Sequence, residues 1–148
     1  MREPLWLSKI LVLALHERLV SEFGGLPGLR DEGLLESALG KPKNVFAYKN
    51  PTAFDLAASY AFGLVKNHPF FDGNKRIGFA AAAVFLETNG FRFNATEVET
   101  TTATLALAAG DLSEEDFSAW LRQGSEKARA LSQGKWSNAG PKRRMKKK

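Results

Sequence analysis

"AASYAFGLVKNHPFFDGNKRIGFAAAAVF", residues 57–85, decides the fold. On its left flank, Leu56, Ala57, Tyr60, Ala61, Leu64 and Val65 recur with helical periodicity, and His68 prolongs the stripe. Thr52 and Asp55 just upstream have the spacing of a capping box. On its right flank, Ile77, Ala80, Ala81, Val84 and Phe85 mark a second helix, which Asn89-Gly90 ends. Its small residues predict tight burial at the centre of the domain. The stretch therefore reads as two central helices joined by a loop, "NHPFFDGNKR" (67–76), that holds most of the reactive groups.

Outward from this pair, the remaining signals are also helical. Ser8 caps a helix carrying Ile10, Leu11, Leu15, Leu19 and Phe23, and Gly24-Gly25 stops it. Asp31 opens a shorter helix with Leu34, Leu35, Ala38 and Leu39 on one face, which Gly40 and Pro42 are expected to end. "KPKNVFAYKNP" (41–51) places Val45, Phe46 and Tyr48 between proline-flanked polar ends and predicts a small hairpin or flap. Thr96 with Glu99, and Ser113 with Asp116, start two further helices. The expected architecture is all-α: a compact helical bundle with a short β-hairpin flap. One domain is expected over residues 1–124, followed by a basic C-terminal extension over 125–148 with little order from Gly134.

Composition narrows the chemistry. A chain of 148 residues with 44% hydrophobic content can bury one core. It has no cysteine, which rules out disulfides and thiolate sites and suits a reducing cytosol. "KILVLAL" (9–15) is too short, and too soon followed by His16, Glu17 and Arg18, to read as a secretory signal, and it reads better as the first buried helix. No stretch is long enough to predict a membrane span. The net charge of +5 comes from "PKRRMKKK" (141–148). Taking its six cations from the 21 Lys and Arg leaves 15 against 16 Asp and Glu. A body this close to neutral predicts no specific nucleic-acid surface, and the tail reads as a solvated end.

The loop carries the chemistry because of where it sits. The first turn of the second helix offers unpaired N–H groups and the positive end of a dipole, a ready anion site. Gly73 lets backbone approach a ligand, Asn74 adds a donor, Lys75 a point charge and Arg76 a bidentate fork. Asp72 beside an anion site is oddly placed unless it holds a cation, and one carboxylate with substrate phosphates is a usual way to hold Mg²⁺. Histidine is the side chain best suited to proton transfer near neutrality, so His68 is a candidate general base. Singly, each residue has a plainer reading: a helix-ending histidine, an Asp-Gly-Asn turn, a solvated Lys-Arg pair. Their joint spacing around one helix start favours phosphate chemistry. His16, on a helix face with Leu13 and Leu19, reads as a satisfied buried histidine. Phe70 reads as the anchor of the loop. Two histidines make a zinc site improbable, and neither a P-loop nor a G-x-S-x-G motif is present.

"HPFFDGNKR" resembles the signature of the Fic/Doc superfamily, H-P-F-x-D/E-G-N-G/K-R. Three stretches resemble its Doc branch in order: residues 14–39, 57–76 and 81–91. The resemblance implies a Fic-like helical fold, a flap that docks the target (by position, residues 41–51), and transfer of part of a nucleotide to a protein hydroxyl. It implies His68 as general base, Asp72 as the Mg²⁺-binding acid, and Gly73, Asn74 and Arg76 as phosphate-binding positions. ATP is the implied co-substrate.

Two departures bear on the reaction. In the AMP-transferring branch a glycine follows the motif's asparagine, and a second arginine lies three positions after the first; here these are Lys75 and Phe79. Doc-type proteins share both features and resemble kinases that transfer the γ-phosphate, with elongation factor Tu as the family target. The resemblance thus implies a toxin kinase in which Lys75 and Arg76 neutralise phosphate charge. The inhibitory motif of many relatives, S/T-x-x-x-E-G/N, is not found; at Glu32-Gly33 the hydroxyl position is Gly28. A separate Phd-like antitoxin is therefore the expected partner. Nucleotidyl transfer, and a non-enzymatic regulatory module that binds an anion or nucleic acid, remain the competing expectations.

Overall fold

The computed structural model describes residues 2–128. Its order is α1 (Lys9–Phe23), α2 (Glu32–Tyr48), α3 (Ala53–Asn67), α4 (Asn74–Thr88), β1 (Phe91–Phe93), α5 (Glu97–Ala109), α6 (Glu114–Gln123) and β2 (Ser125–Lys127). The architecture is all-α with one small two-stranded sheet. The expected disorder from Gly134 and the basic tail lie outside the described residues.

The caps form where the side chains demand them. Ser8, Asp31 and Ser113 each accept from a backbone N–H three residues on, at 3.1, 2.9 and 3.0 Å. Thr52 with Asp55, and Thr96 with Glu99, make complete capping boxes.

α3 is the central element, with Leu56, Ala57, Tyr60, Ala61 and Leu64 fully buried. It packs on α2, α4 and α6. Small residues let the helices close up. A Cβ on Gly78 of α4 would lie 2.7 Å from Val65 and 3.2 Å from the Ala61 carbonyl. One on Gly63 would meet Ala38 of α2 at 3.2 Å. α3 and α4 are thereby held as a close pair, with residues 68–73 emerging at one end.

Two local expectations fail. The flap expected over residues 41–51 is not there: α2 runs unbroken through Gly40 and Pro42 to Tyr48. Leu35, Ala38, Leu39 and Pro42 share one buried helical face, and Val45 and Phe46 continue it against the core. Phe46 meets Trp6 edge-on at 5.7 Å, and Lys41 bridges to Glu114. This burial outweighs the roughly 3 kcal/mol that an interior proline costs a helix. The sheet forms elsewhere, from segments distant in sequence: β1 and β2 pair antiparallel, with Phe91 opposite Lys127 and Phe93 opposite Ser125.

α1 corrects the second expectation. Its buried residues are Val12 and His16, whereas Ile10 is 79% exposed and Phe23 51%. Among the described residues, no helix is long and apolar enough to cross a membrane.

Candidate active site

His68, Asp72, Gly73, Asn74, Lys75 and Arg76 line one cavity of about 300 Å³. The loop that carries them is anchored from beneath. Phe70 is buried and stacks on the buried His16 ring, centroids 3.7 Å apart and planes within 10°. His16 Nε2 lies 2.7 Å from the Asp72 carbonyl oxygen. A carbonyl can only accept, so Nε2 carries the proton and donates. His16 is therefore a buried histidine whose Nε2 is satisfied, and it fixes the backbone of the acidic residue.

Asn74 is also structural in its side chain. Its Oδ1 accepts from the Phe70 N–H at 3.0 Å, and its Nδ2 donates to the Phe70 carbonyl at 2.9 Å. Both ends of the amide are used to lock the loop.

The two ends of the loop are both left-handed. His68 ends α3 at φ 54°, ψ 53°, and Gly73 precedes α4 at φ 76°, ψ 18°. Gly73 adopts this region freely, whereas for a histidine it costs on the order of 1–2 kcal/mol. The left-handed Gly73 turns the chain into α4 with no side chain capping that helix. Helices α1, α2, α3, α5 and α6 all have a side-chain cap. The first turn of α4 thus presents free donors and its dipole to the cavity, between the exposed side chains of Lys75 and Arg76. The Arg76 guanidinium lies 4.4 Å from the Phe23 ring centroid, a cation–π contact that limits its wandering.

Asp72 is exposed but not loose. Leu26 N–H donates to Oδ2 at 3.1 Å and Gly73 N–H to Oδ1 at 2.9 Å. These two donors, Leu26 foremost, hold the Asp72 carboxyl below its ordinary value, and the Arg76 charge adds to the effect. Each carboxylate oxygen keeps a free lone pair. Among the described residues no three metal-ligating side chains cluster. One ionised carboxylate beside an anion-binding helix start fits Mg²⁺ held jointly with a nucleotide's phosphates.

Two parts of the site carried no signal that composition or periodicity could reveal. The first is the turn over residues 24–31. Arg30 and Asp31 N–H groups both donate to the Pro69 carbonyl, Phe71 N–H donates to Gly28, and the Arg30 guanidinium donates to the carbonyls of Asn67 and His68. Gly25 has φ +113°, a strained conformation for any side chain, and a Cβ there would lie 2.8 Å from Asp72 Oδ2 and push the carboxylate aside. The repeated glycines of "GGLPGLR" were the available clue. The second is α5, which supplies Thr100, Thr101, Thr104 and Leu105 as the opposite wall of the cavity. Phe79 also lines the cavity and packs near Phe93 and Trp120.

Comparison with known proteins gives the family. Residues 6–86 match the Fic/DOC family. The chain is 33% identical over 114 residues to a protein named protein kinase doc from Escherichia phage P1, covering 76% of this chain and 89% of that one. It is 43% identical over 77 residues to a protein named toxin Doc from Mycolicibacterium smegmatis, covering 49% of this chain and 58% of that one. The family match spans α3, the loop and all but the last two residues of α4, and the chain belongs to the Fic/DOC family.

Proposed function

We propose that the chain is the toxin of a toxin–antitoxin module and acts as a protein kinase, passing the γ-phosphate of ATP to a hydroxyl of a translation factor. Elongation factor Tu is the target that the family resemblance favours, and the bacterial cytoplasm the place. His68 accepts the hydroxyl proton. The hydroxyl oxygen bonds to the γ-phosphorus as the bond from that phosphorus to the β,γ-bridging oxygen breaks, and ADP leaves with the electron pair. The free N–H groups of α4, with Lys75 and Arg76, take up the phosphate charge, and little else is needed for phosphoryl transfer. Asp72 would hold Mg²⁺, which when bound neutralises phosphate oxygens.

One observation carries the choice of phosphate over AMP. Lys75 and Phe79 both line the cavity, so the family's AMP-transferring pattern, a glycine and a second arginine, is replaced by a long cation and an apolar ring. Phe79 lies in an aromatic cluster with Phe93 and Trp120, and offers nothing to distal phosphates. A Phd-like antitoxin is the partner that would restrain the enzyme.

The test is label transfer. Purified protein is incubated with elongation factor Tu, or a bacterial extract, and ATP labelled at the α or the γ position. Transfer from γ-ATP alone is the expected result. Transfer from α-ATP replaces the kinase with a nucleotidyl transferase. Transfer from neither, with His68→Ala still toxic on expression, leaves a non-enzymatic module.

A further inference from the structure

We propose that Arg30 is the positioning residue for the base: its guanidinium holds His68 in the left-handed conformation that brings the imidazole to the cavity. The inference rests on the reading of His68 as the proton acceptor.

Among the described residues His68 is the one non-glycine residue with positive φ. L-residues avoid that region, and persist in it only where surrounding contacts over-determine the backbone. The next residue is Pro69, which has no N–H to contribute. What the segment has in excess is acceptors: the carbonyls of Asn67, His68 and Pro69 lie in succession at the negative end of α3.

All three are taken by residues 30 and 31. Arg30 Nε and Nη2 donate to the His68 carbonyl at 2.8 and 2.6 Å, and Nη2 also donates to the Asn67 carbonyl at 3.2 Å. The backbone N–H groups of Arg30 and Asp31 donate to the Pro69 carbonyl at 2.7 and 3.0 Å. Asn67 is itself tied to α2, its Nδ2 donating to the Leu34 carbonyl at 3.0 Å. The start of α2 is a splint along the end of α3, and Arg30 is the part of it that grips His68. Only a planar fork can send two N–H groups to one carbonyl and still reach the next; a lysine can supply the charge but not the fork.

Arg30 is solvent-exposed, so its loss leaves the core untouched. The experiment uses the full chain with Arg30→Ala, Arg30→Lys and His68→Ala. Transfer from γ-labelled ATP to elongation factor Tu gives kcat and KM for ATP, and spectra of histidine-labelled protein report the His68 backbone directly, since the chain has two histidines. Arg30→Ala is expected to lower kcat by roughly tenfold to a hundredfold with KM nearly unchanged, the signature of a misplaced group. Its His68 Cα and carbonyl shifts should leave left-handed values. Millimolar guanidinium should restore part of the rate to Arg30→Ala and none to His68→Ala, and Arg30→Lys should fall between. Turnover of Arg30→Ala within about twofold of wild type, or His68 shifts that the substitution leaves in place, overturns the proposal. Wild-type protein that transfers no label refutes the kinase reading instead, and the His68 shifts then decide the Arg30 assignment alone. Should Arg30→Ala fail to fold, Arg30→Lys carries the same readouts.

Discussion

The Leu26 amide donates to the Asp72 carboxylate from 46 residues away, at 3.1 Å. This bond ties the turn after α1 to the acidic residue of the loop, and it exists because Gly25 has no side chain. The loop is therefore half of a two-part site.

Replacing Gly25 with alanine should separate the parts. The new Cβ would meet Asp72 Oδ2 at 2.8 Å, in backbone at φ +113° that alanine resists. Wild-type Asp72 is expected to titrate below its ordinary 3.8, and Gly25→Ala to raise that midpoint. The sign follows from linkage: a depressed carboxyl favours the folded loop above its unfolded value, and the advantage fades as pH falls through the lower, folded one. Carboxyl-carbon NMR across acid pH measures both midpoints. Equal midpoints would show that the Leu26 bond does not govern this carboxylate.

Asn74→Ala should act through the loop backbone. It strips the Phe70 N–H and carbonyl of their partners in a buried setting. Each unpaired group costs about 1–3 kcal/mol, so a lower denaturation midpoint should accompany lost label transfer. Lost transfer at unchanged stability would instead make the Asn74 amide a ligand for phosphate.

Tyr60→Phe tests the core. The buried Tyr60 hydroxyl accepts the Leu7 N–H at 3.0 Å, holding the N-terminal segment on α3. Phenylalanine fills the same space but leaves that amide unpaired, a loss of about 1–3 kcal/mol by urea unfolding. A midpoint equal to wild type would mean that the segment finds another acceptor.

Asp55 makes stability depend on acid. Burial raises its carboxyl, but the Thr52 N–H and the Ser118 hydroxyl outweigh that and leave it below the ordinary 3.8. Its contribution is complete above the unfolded value and is lost as pH falls through the folded one. Asp55→Asn should cost about 1 kcal/mol near neutrality, the worth of a cap. Thermal melts from neutral pH into acid should show the gap to wild type closing below 3.8. A gap that stays constant would exclude Asp55 as the titrating group.

The sequence by itself determined the all-α class, every side-chain cap expected and the central α3–α4 pair. These follow from signals that act within a turn or two: an apolar face repeating along one helix, or a side chain reaching an amide three residues on. It also brought His68, Asp72, Lys75 and Arg76 to one loop, because nine consecutive residues cannot be far apart. Only the tertiary structure decided the rest. Pro42 signals a helix end locally, yet α2 continues because its apolar face finds the core. β1 and β2 pair across more than thirty residues, a partnership that neither segment announces. Arg30 looks like any surface cation until α3 ends beside it with three unpaired carbonyls, and the threonines of α5 become a cavity wall only once that helix packs across from α4. Burial and the pairing of distant polar groups depend on the whole chain, so no local reading could place them.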